Sequence, residues 1–479
     1  MLPVLAAYQQ AVGARGRRPR SLRAAREGDE AAAADLSGAA DPLYRVTLAG
    51  VWAFMRRQPA SYWLVCLYLF FEYVRPQQIY GWMGTYPWAL TTIILCGVAF
   101  LLEGHWFRFD HAADRLLTVF TAVVLLSSLT AYSPETSREK LHIYLSWVVV
   151  YFLISNIVVT ERRFLVFLLS FLLYSFKMSQ HGTRSWAEGG FAFRDWGTTG
   201  APGWFQNSGE FGIQMTVFLP LALAFYLALR AHWGPLKRWA FLLLLPATAI
   251  VGIVASSSRG ALLGLAGLGV WMVAVSRKFR ALVAILVVGV VTVLLIPQEQ
   301  KDRLAKMGED QTSVARTTYW THGMEIAQAH PVLGIGYANW TVYYPDHYVP
   351  ALPGERIELA HNTFVEAVSE LGYTGLLAFL AMIAATFVSN RRTRRLARRL
   401  GGHGVFLRNA AYGLDGALVG FMVSGFFISA LYYPFFWINL ALTVALHRSA
   451  QARLREAAPA PPPAPRVRRL GRGALAPVA

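Results

Sequence analysis

Apolar residues in this chain gather into about twelve blocks, at 61–74, 87–102, 116–132, 142–159, 164–178, 211–229, 239–255, 261–276, 281–296, 373–389, 412–428 and 432–446. At 1.5 Å per residue most are roughly as long as a helix must be to cross a hydrocarbon core, although the first and fifth are short. Composition agrees: 55% of residues are hydrophobic and 15% charged, with a mean hydropathy of +0.39, whereas an ordinary soluble domain is about a quarter charged. The expected fold is an all-α polytopic membrane protein of about twelve transmembrane helices, with a large, mostly helical periplasmic loop between helices 9 and 10.

Sixty residues rich in Ala and Arg precede the first block, and the short apolar start at 1–7 lacks the basic leader and longer apolar core of a signal peptide. The N-terminus is therefore expected in the cytoplasm. With twelve spans, the cytoplasmic segments then hold 33 of the 45 Lys and Arg residues, as the positive-inside rule requires. Arg391, Arg392, Arg394, Arg395, Arg398 and Arg399 fall on the same side as Arg56, Arg57, Arg466, Arg468 and Arg469. The expected organisation is a basic cytoplasmic arm (1–60), nine transmembrane helices (61–296) with a periplasmic segment at 179–210, a large periplasmic loop (297–362), three further helices (363–447) and a disordered basic cytoplasmic tail (448–479). Both termini would lie in the cytoplasm and the working face on the periplasmic side of a bacterial inner membrane.

The net charge of +18 follows from the same rule, so membrane lipids are expected partners and nucleic acid is not. Cys66 and Cys96 fall inside apolar blocks, where an isolated thiol is usually a small buried hydrophobe.

Two long segments, 179–210 and 297–362, are left outside, and long loops are where binding and catalysis concentrate. Short connections are expected only to join helices. The larger loop carries Trp320, Trp340, Tyr337, Tyr343, Tyr344 and Tyr348. Such rings either anchor at the membrane interface or stack against carbohydrate. The outer face also holds Arg184, Arg194, Arg259, Arg316 and Arg356. Arg259 stands in Ser256-Ser257-Ser258-Arg259-Gly260 between two apolar blocks. Its guanidinium either snorkels to head-group phosphate or waits for a lipid diphosphate, which a planar fork suits better than an ammonium. Gly260 and Gly264 are spaced to admit another helix closely.

A second focus is the stretch from His361 to Gly375, where Asn362, Glu366 and Glu370 share one helical face. A histidine there suits general-base chemistry near neutral pH, its ordinary pKa being about 6.5. The spacing of His322, His347, His361 and Asp346 matches no local ligand motif, so no metal is expected.

Ser257-Ser258-Arg259-Gly260, the run from Ser313 through Arg316 to Trp320, Pro331-Val332-Leu333-Gly334-Ile335-Gly336, and the stretch from His361-Asn362 to Gly375 occur in an order and on a membrane side that resemble the O-antigen ligase and polymerase superfamily. These motifs cover roughly 194–380, and the twelve-span plan covers nearly the whole chain. The stretch from Tyr68 to Gln77 is similar to a subgroup of O-glycosylation ligases that accompany exosortase systems. The resemblance implies an inverting, metal-independent glycosyltransferase without a cofactor. Its donor would be a glycan on undecaprenyl diphosphate and its acceptor a glycolipid, glycan or protein hydroxyl, in lipopolysaccharide, exopolysaccharide or O-glycan assembly. Negative charge grows on the leaving oxygen as the sugar departs, and preorganised arginines stabilise it. Arg259 takes that role by resemblance. Arg194 fits a second essential arginine before the sixth span, with Arg184 as its competitor. His361 would deprotonate or orient the acceptor hydroxyl, with Glu366 or Glu370 orienting it. Arg316 would bind diphosphate or pair with a loop carboxylate, and Asn362, Trp320 and Tyr337 complete the expected substrate-binding set.

Within this reading a Wzy-type polymerase and a protein O-oligosaccharyltransferase stay open. A flippase or transporter of lipid-linked glycans would call for internal repeats or broken helices with polar residues near mid-membrane, and neither stands out in the sequence. Residues 75–86 contain no Asp or Glu, which argues against the lipid-linked transferase class that resembles oligosaccharyltransferases and places an acidic base in its first outer loop, although Glu72 lies close by.

Overall fold

The computed structural model describes residues 41–84, 86–192, 197–276, 311–348 and 359–457, with isolated positions between 287 and 301. Among the described residues the regular structure is helical throughout. In chain order the main helices are α1 (Leu48–Met55), α2 (Ala60–Tyr73), α3 (Trp88–Leu102), α4 (Ala112–Leu129), α5 (Pro134–Ile157), α6 (Glu161–Glu188), α7 (Ser208–Leu229), α8 (Pro235–Ala255), α9 (Arg259–Ser276), α10 (Gln311–Ala329), α11 (Trp340–Tyr348), α12 (Thr363–Arg399), α13 (Val405–Gly425) and α14 (Pro434–Glu456). Helices coincide with eleven of the expected apolar blocks. The ninth, 281–296, lies mostly outside the described residues, as do most of 1–60, most of the tail at 448–479 and parts of 297–362.

Seven helices (α4 to α9 and α12) are long and apolar enough to cross a membrane. The remaining apolar helices miss that mark for identifiable reasons. α2 and α3 are short, while α13 and α14 carry charges, among them Asp415 and Arg448, that the fold buries. The chain is a multi-pass helical membrane protein.

The start signals are legible in the sequence. Asn207 caps α7 in a reciprocal pair with Glu210, Thr160 caps α6, and proline opens α5, α8 and α14. Within α8 the residues Leu243–Ala247 form a π-helical turn containing Pro246, whose missing N–H breaks the regular ladder. α7 is the central helix, with 83% of its apolar window buried, packed against α13, α8 and α9.

Buried ion pairs brace one end of the bundle. Arg448 of α14 donates to Asp114 of α4 at 3.0 Å and to Asp110 at 2.7 Å, and Tyr151 of α5 donates to Asp114 at 2.6 Å. Arg394 of α12 pairs with Asp415 of α13 and lies over the Tyr412 ring at 4.6 Å.

One boundary differs from the expected organisation: α6 continues to Glu188, so the first third of the expected outer segment is helix. α12 starts at Thr363, ten residues before its apolar block, because Asn362 caps it at once.

Candidate functional site

The end of the bundle opposite those ion pairs is built around a break in α12. At Gly372 the backbone takes φ 68° and ψ −175°, a conformation open to glycine, and a Cβ there would lie 2.4 Å from the Val332 carbonyl oxygen. The break frees backbone groups on both sides, and the Pro331–Gly336 motif takes them up. Tyr373 N–H donates to the Pro331 carbonyl at 2.8 Å, while Ile335 and Gly336 N–H donate to the carbonyls of Ser369 and Glu370 at 2.9 and 3.0 Å. Ser127 of α4 closes the joint by donating to the Leu333 and Glu370 carbonyls at 2.8 and 3.0 Å. The sequence reading found no broken helix, and here there is one. Its gap is filled by the chain's own loop.

The polar face of α12 before the break holds two loops. Glu370 accepts from the N–H groups of Ala338 and Trp340, each at 3.0 Å, and from the Tyr432 hydroxyl at 2.9 Å. Glu366 accepts from Leu431 N–H at 3.1 Å. Thr363 donates to the Ile428 carbonyl at 2.7 Å and accepts from Ala430 N–H at 3.1 Å. Asn362 is buried and caps the helix, accepting from Phe364 and Val365 N–H at 2.9 and 3.2 Å. Tyr337 is 1% exposed, its hydroxyl donating to the Lys140 carbonyl at 3.0 Å and its ring edge-on to Tyr432 at 4.7 Å. These side chains position backbone.

Arg259 opens α9 after a tight turn. Ser257 sits in the left-handed region at φ 54°, and Ser258 Oγ accepts from Ala261 N–H at 3.3 Å. Gly260 and Gly264 bring α9 against α13, where a Cβ on Gly264 would stand 2.1 Å from Ser424 Oγ. The guanidinium of Arg259 donates to Ser313 Oγ of α10 at 3.1 Å. Thr198 N–H donates to the Ala255 carbonyl at 2.8 Å, and Trp186 packs on Val254 and Ala255, so both flanks of 193–196 reach this turn. Arg194 and Arg356 themselves lie outside the described residues. Arg184 is 61% exposed and pairs with Glu188 one turn on, at 3.3 Å.

α10 joins the arginine turn to the start of α12. Ser313, Arg316 and Trp320 recur at spacings of three and four, which share a helical face. Trp320 donates through Nε1 to the Ala360 carbonyl at 3.1 Å and meets Phe426 edge-on at 5.2 Å. The Tyr319 ring lies 6.4 Å from that of His361, which is half-buried and held at φ 51°. Six residues separate Ser313 from Tyr319, a rise of about 9 Å. The Arg259 guanidinium thus lies near the start of α10 and the His361 ring nearly two turns further along it. Backbone held in sparsely populated conformations at Ser257 and His361 is a recurring feature of functional sites.

His322, His347 and Asp346 each meet aromatic neighbours. His322 stacks on Tyr348 at 4.1 Å and hydrogen-bonds Tyr344 at 2.8 Å, His347 stacks on Tyr343 at 3.8 Å, and Asp346 accepts from Tyr132 at 3.0 Å. Burial pushes the Tyr344 phenol up to about 12, so it stays protonated at neutral pH.

Two parts of this end escaped the sequence reading. The connection 426–433, expected merely to join two helices, is held by Thr363, Glu366 and Glu370 and walls the site with Phe426. Arg75, the one charge in 75–86, donates to the Pro202 carbonyl at 2.9 Å and lies over Trp204 at 5.9 Å, with Glu72 at 3.8 Å. Trp204 donates to Glu72 and meets Tyr433 edge-on at 5.1 Å. A solitary charge in an otherwise uncharged turn was the available signal.

Residues 244–380 match the family model described as O-Antigen ligase, a stretch that runs from the π-helical turn of α8 into α12 and includes Arg259, Arg316, Trp320 and His361. The chain is also similar to the Exopolysaccharide production protein ExoQ of Rhizobium meliloti (strain 1021), 27% identical over 207 residues, or 40% of this chain and 47% of that protein. The match spans about half the length of that relative. Over this matched stretch, and in its multi-pass helical build, the chain is similar to the O-antigen ligase family.

Proposed function

We propose that this chain is a polysaccharide-assembly glycosyltransferase of the inner membrane, with twelve spans, cytoplasmic termini and the Arg259 end in the periplasm. Its donor is a glycan on undecaprenyl diphosphate. The observation that carries the reading is the single helix, α10, that meets Arg259 at Ser313 and His361 at Tyr319. His361 takes the proton of the acceptor hydroxyl, the acceptor oxygen bonds the anomeric carbon from the face opposite the diphosphate, and the bond to the diphosphate oxygen breaks with inversion. Arg259, with Arg316 one turn along α10, stabilises the charge on the departing diphosphate, and Trp320 offers its ring to the glycan. No metal is needed, because the guanidinium groups supply the positive charge.

Arg194 is the second diphosphate arginine in this scheme. The docking of Thr198 beside the Arg259 turn supports it, and the exposed pairing of Arg184 with Glu188 leaves Arg184 the weaker choice. The name of the similar protein, an exopolysaccharide production protein, favours a glycan acceptor over a polypeptide and keeps the polymerase form of the reaction beside the ligase form.

The test incubates the purified protein in nanodiscs with undecaprenyl-diphosphate glycan and, separately, lipid A core, further lipid-linked repeat or acceptor peptide, with chelator present. A new glycosidic bond with one acceptor is expected. Movement of the intact lipid across the bilayer with no bond formed would replace the transferase reading by the flippase one.

A further inference from the structure

At the end of the bundle away from Arg259, the chain forms an open-mouthed cavity of about 780 Å³. Its walls are the segment at Asp41, the junction of α1 and α2 around Arg57, the first turn of α6, His403 and the last turn of α14. α6 fixes its place, since 25 residues, or about 38 Å, separate Glu161 in this wall from Trp186 beside the Arg259 turn.

The charges there do not cancel. Four guanidinium groups (Arg57, Arg162, Arg163, Arg453) face three carboxylates (Asp41, Glu161, Glu456). Each carboxylate is engaged: Asp41 with Arg162 at 2.6 Å, Glu161 with Arg453 at 3.5 Å and with the Tyr44 hydroxyl, and Glu456 with Arg453 at 3.2 Å. Arg163 hydrogen-bonds only neutral groups among the described residues, Gln58 at 2.8 Å and the Ile157 carbonyl at 3.1 Å, and lies over the Tyr62 ring at 5.5 Å, while Glu103, outside the lining, attracts it electrostatically and itself accepts from Ser61 N–H at 2.9 Å. Arg57 is exposed and pairs with no carboxylate among the described residues. Arg162 and Arg163 also occupy the first turn of α6, where the helix dipole is positive and disfavours cations. An anion between them and Arg57 would relieve both conflicts, and one negative charge balances the lining. Beside the cavity mouth α1 exposes apolar surface, with Leu48 93% exposed and Trp52, 56% exposed, set edge-on to Trp63 at 5.8 Å, the interfacial belt expected next to a head group.

We propose that this cavity binds the phosphodiester head group of an anionic phospholipid from the adjoining leaflet, held by Arg57 and Arg163 at the N-terminus of α6, with the acyl chains along α1. The site is independent of the transfer reaction. On the proposed orientation its leaflet is the cytoplasmic one.

The test places the full chain in nanodiscs of phosphatidylcholine with and without phosphatidylglycerol and counts the lipids retained on release by native mass spectrometry. The wild type is expected to retain phosphatidylglycerol in preference to phosphatidylcholine. Arg57→Glu, an exposed position whose change leaves packing intact, should cut that retention at least about fivefold. Arg395→Glu, exposed at the same end but outside the cavity, should not change it. Equal retention by the wild type and Arg57→Glu, or no preference between the two lipids, overturns the proposal. Thermal protection by inorganic phosphate in pure phosphatidylcholine nanodiscs, matching that by phosphatidylglycerol, would assign the cavity to free phosphate and overturn the lipid assignment.

Discussion

The two ends of this bundle use their buried carboxylates differently. At one end Asp114 and Asp415 hold arginines of neighbouring helices, Arg448 and Arg394. At the other, Glu366 and Glu370 hold backbone N–H groups of loops, those of Leu431, Ala338 and Trp340. The first arrangement fixes helix against helix. The second fixes irregular chain, which at membrane depth is tolerated only where protein satisfies it, and it frames Arg259 and His361 without using a side chain that a substrate could displace. If the contrast holds, changes at one end should cost stability and changes at the other should cost transfer.

The largest effects are expected at the residues proposed to touch substrate. Arg259→Ala and Arg259→Lys are both expected to lower transfer by about a hundredfold to a thousandfold, because a point charge cannot reproduce a bidentate guanidinium. His361→Ala should lower it by about a hundredfold or more. Each protein should insert and melt like the wild type, and rates with the lipid-linked donor read the difference. Wild-type transfer in His361→Ala would take the proton-accepting role away from that residue.

The opposite pattern is expected at the ion-pair end. Arg448→Ala leaves Asp114, fully buried, without its cation, and removing one partner of such a pair costs about 3–5 kcal/mol. Denaturant unfolding in detergent measures it. Pairing Arg448→Ala with Asp114→Asn should recover part of the loss, since the uncompensated charge goes too. Transfer per folded molecule should be unchanged, and a transfer defect without a stability defect would erase the contrast between the ends.

Glu370→Gln tests the loop end more gently. The amide keeps one acceptor but turns an N–H₂ toward the donors at Ala338, Trp340 and Tyr432, leaving buried groups unmatched at about 1–3 kcal/mol. Faster hydrogen exchange over 334–345 and roughly tenfold slower transfer are expected, with α12 intact beyond Gly372. Unchanged exchange would show that the Gly372 break alone docks the loop.

Much of this division was legible in the sequence, and the exceptions have physical causes. Apolar length and arginine counts located most of the described helices, because lipid imposes a length and head groups impose a charge bias. The order of Arg259, Arg316 and His361 pointed, by resemblance, to the candidate site. What escaped were features that depend on who meets whom. The partners of Glu366 and Glu370 lie thirty or more residues away in loops, so the bracing done by their shared face was not legible. Gly372 read only as one position of the stretch from His361 to Gly375, because a helix break is cheap only when another segment, here Pro331–Gly336, takes up the freed backbone groups.

The smallest expected effect separates Arg184 from Arg194. The Arg184–Glu188 pair is exposed at both partners, 61% and 68%, and exposed pairs contribute about 0–1 kcal/mol before screening by salt. Arg184→Ala should therefore leave melting and transfer within about twofold of the wild type. Arg194→Ala should slow transfer about a hundredfold, as removal of a charge-stabilising donor does. Measuring both at low and high salt sharpens the comparison, since a surface pair fades with ionic strength while a diphosphate contact inside a desolvated site does not. A transfer loss in Arg184→Ala that persists at high salt would move the second arginine from 194 to 184. It would also extend the reacting end of the molecule along the last turn of α6, beyond the turn where Trp186 and Thr198 meet Ala255.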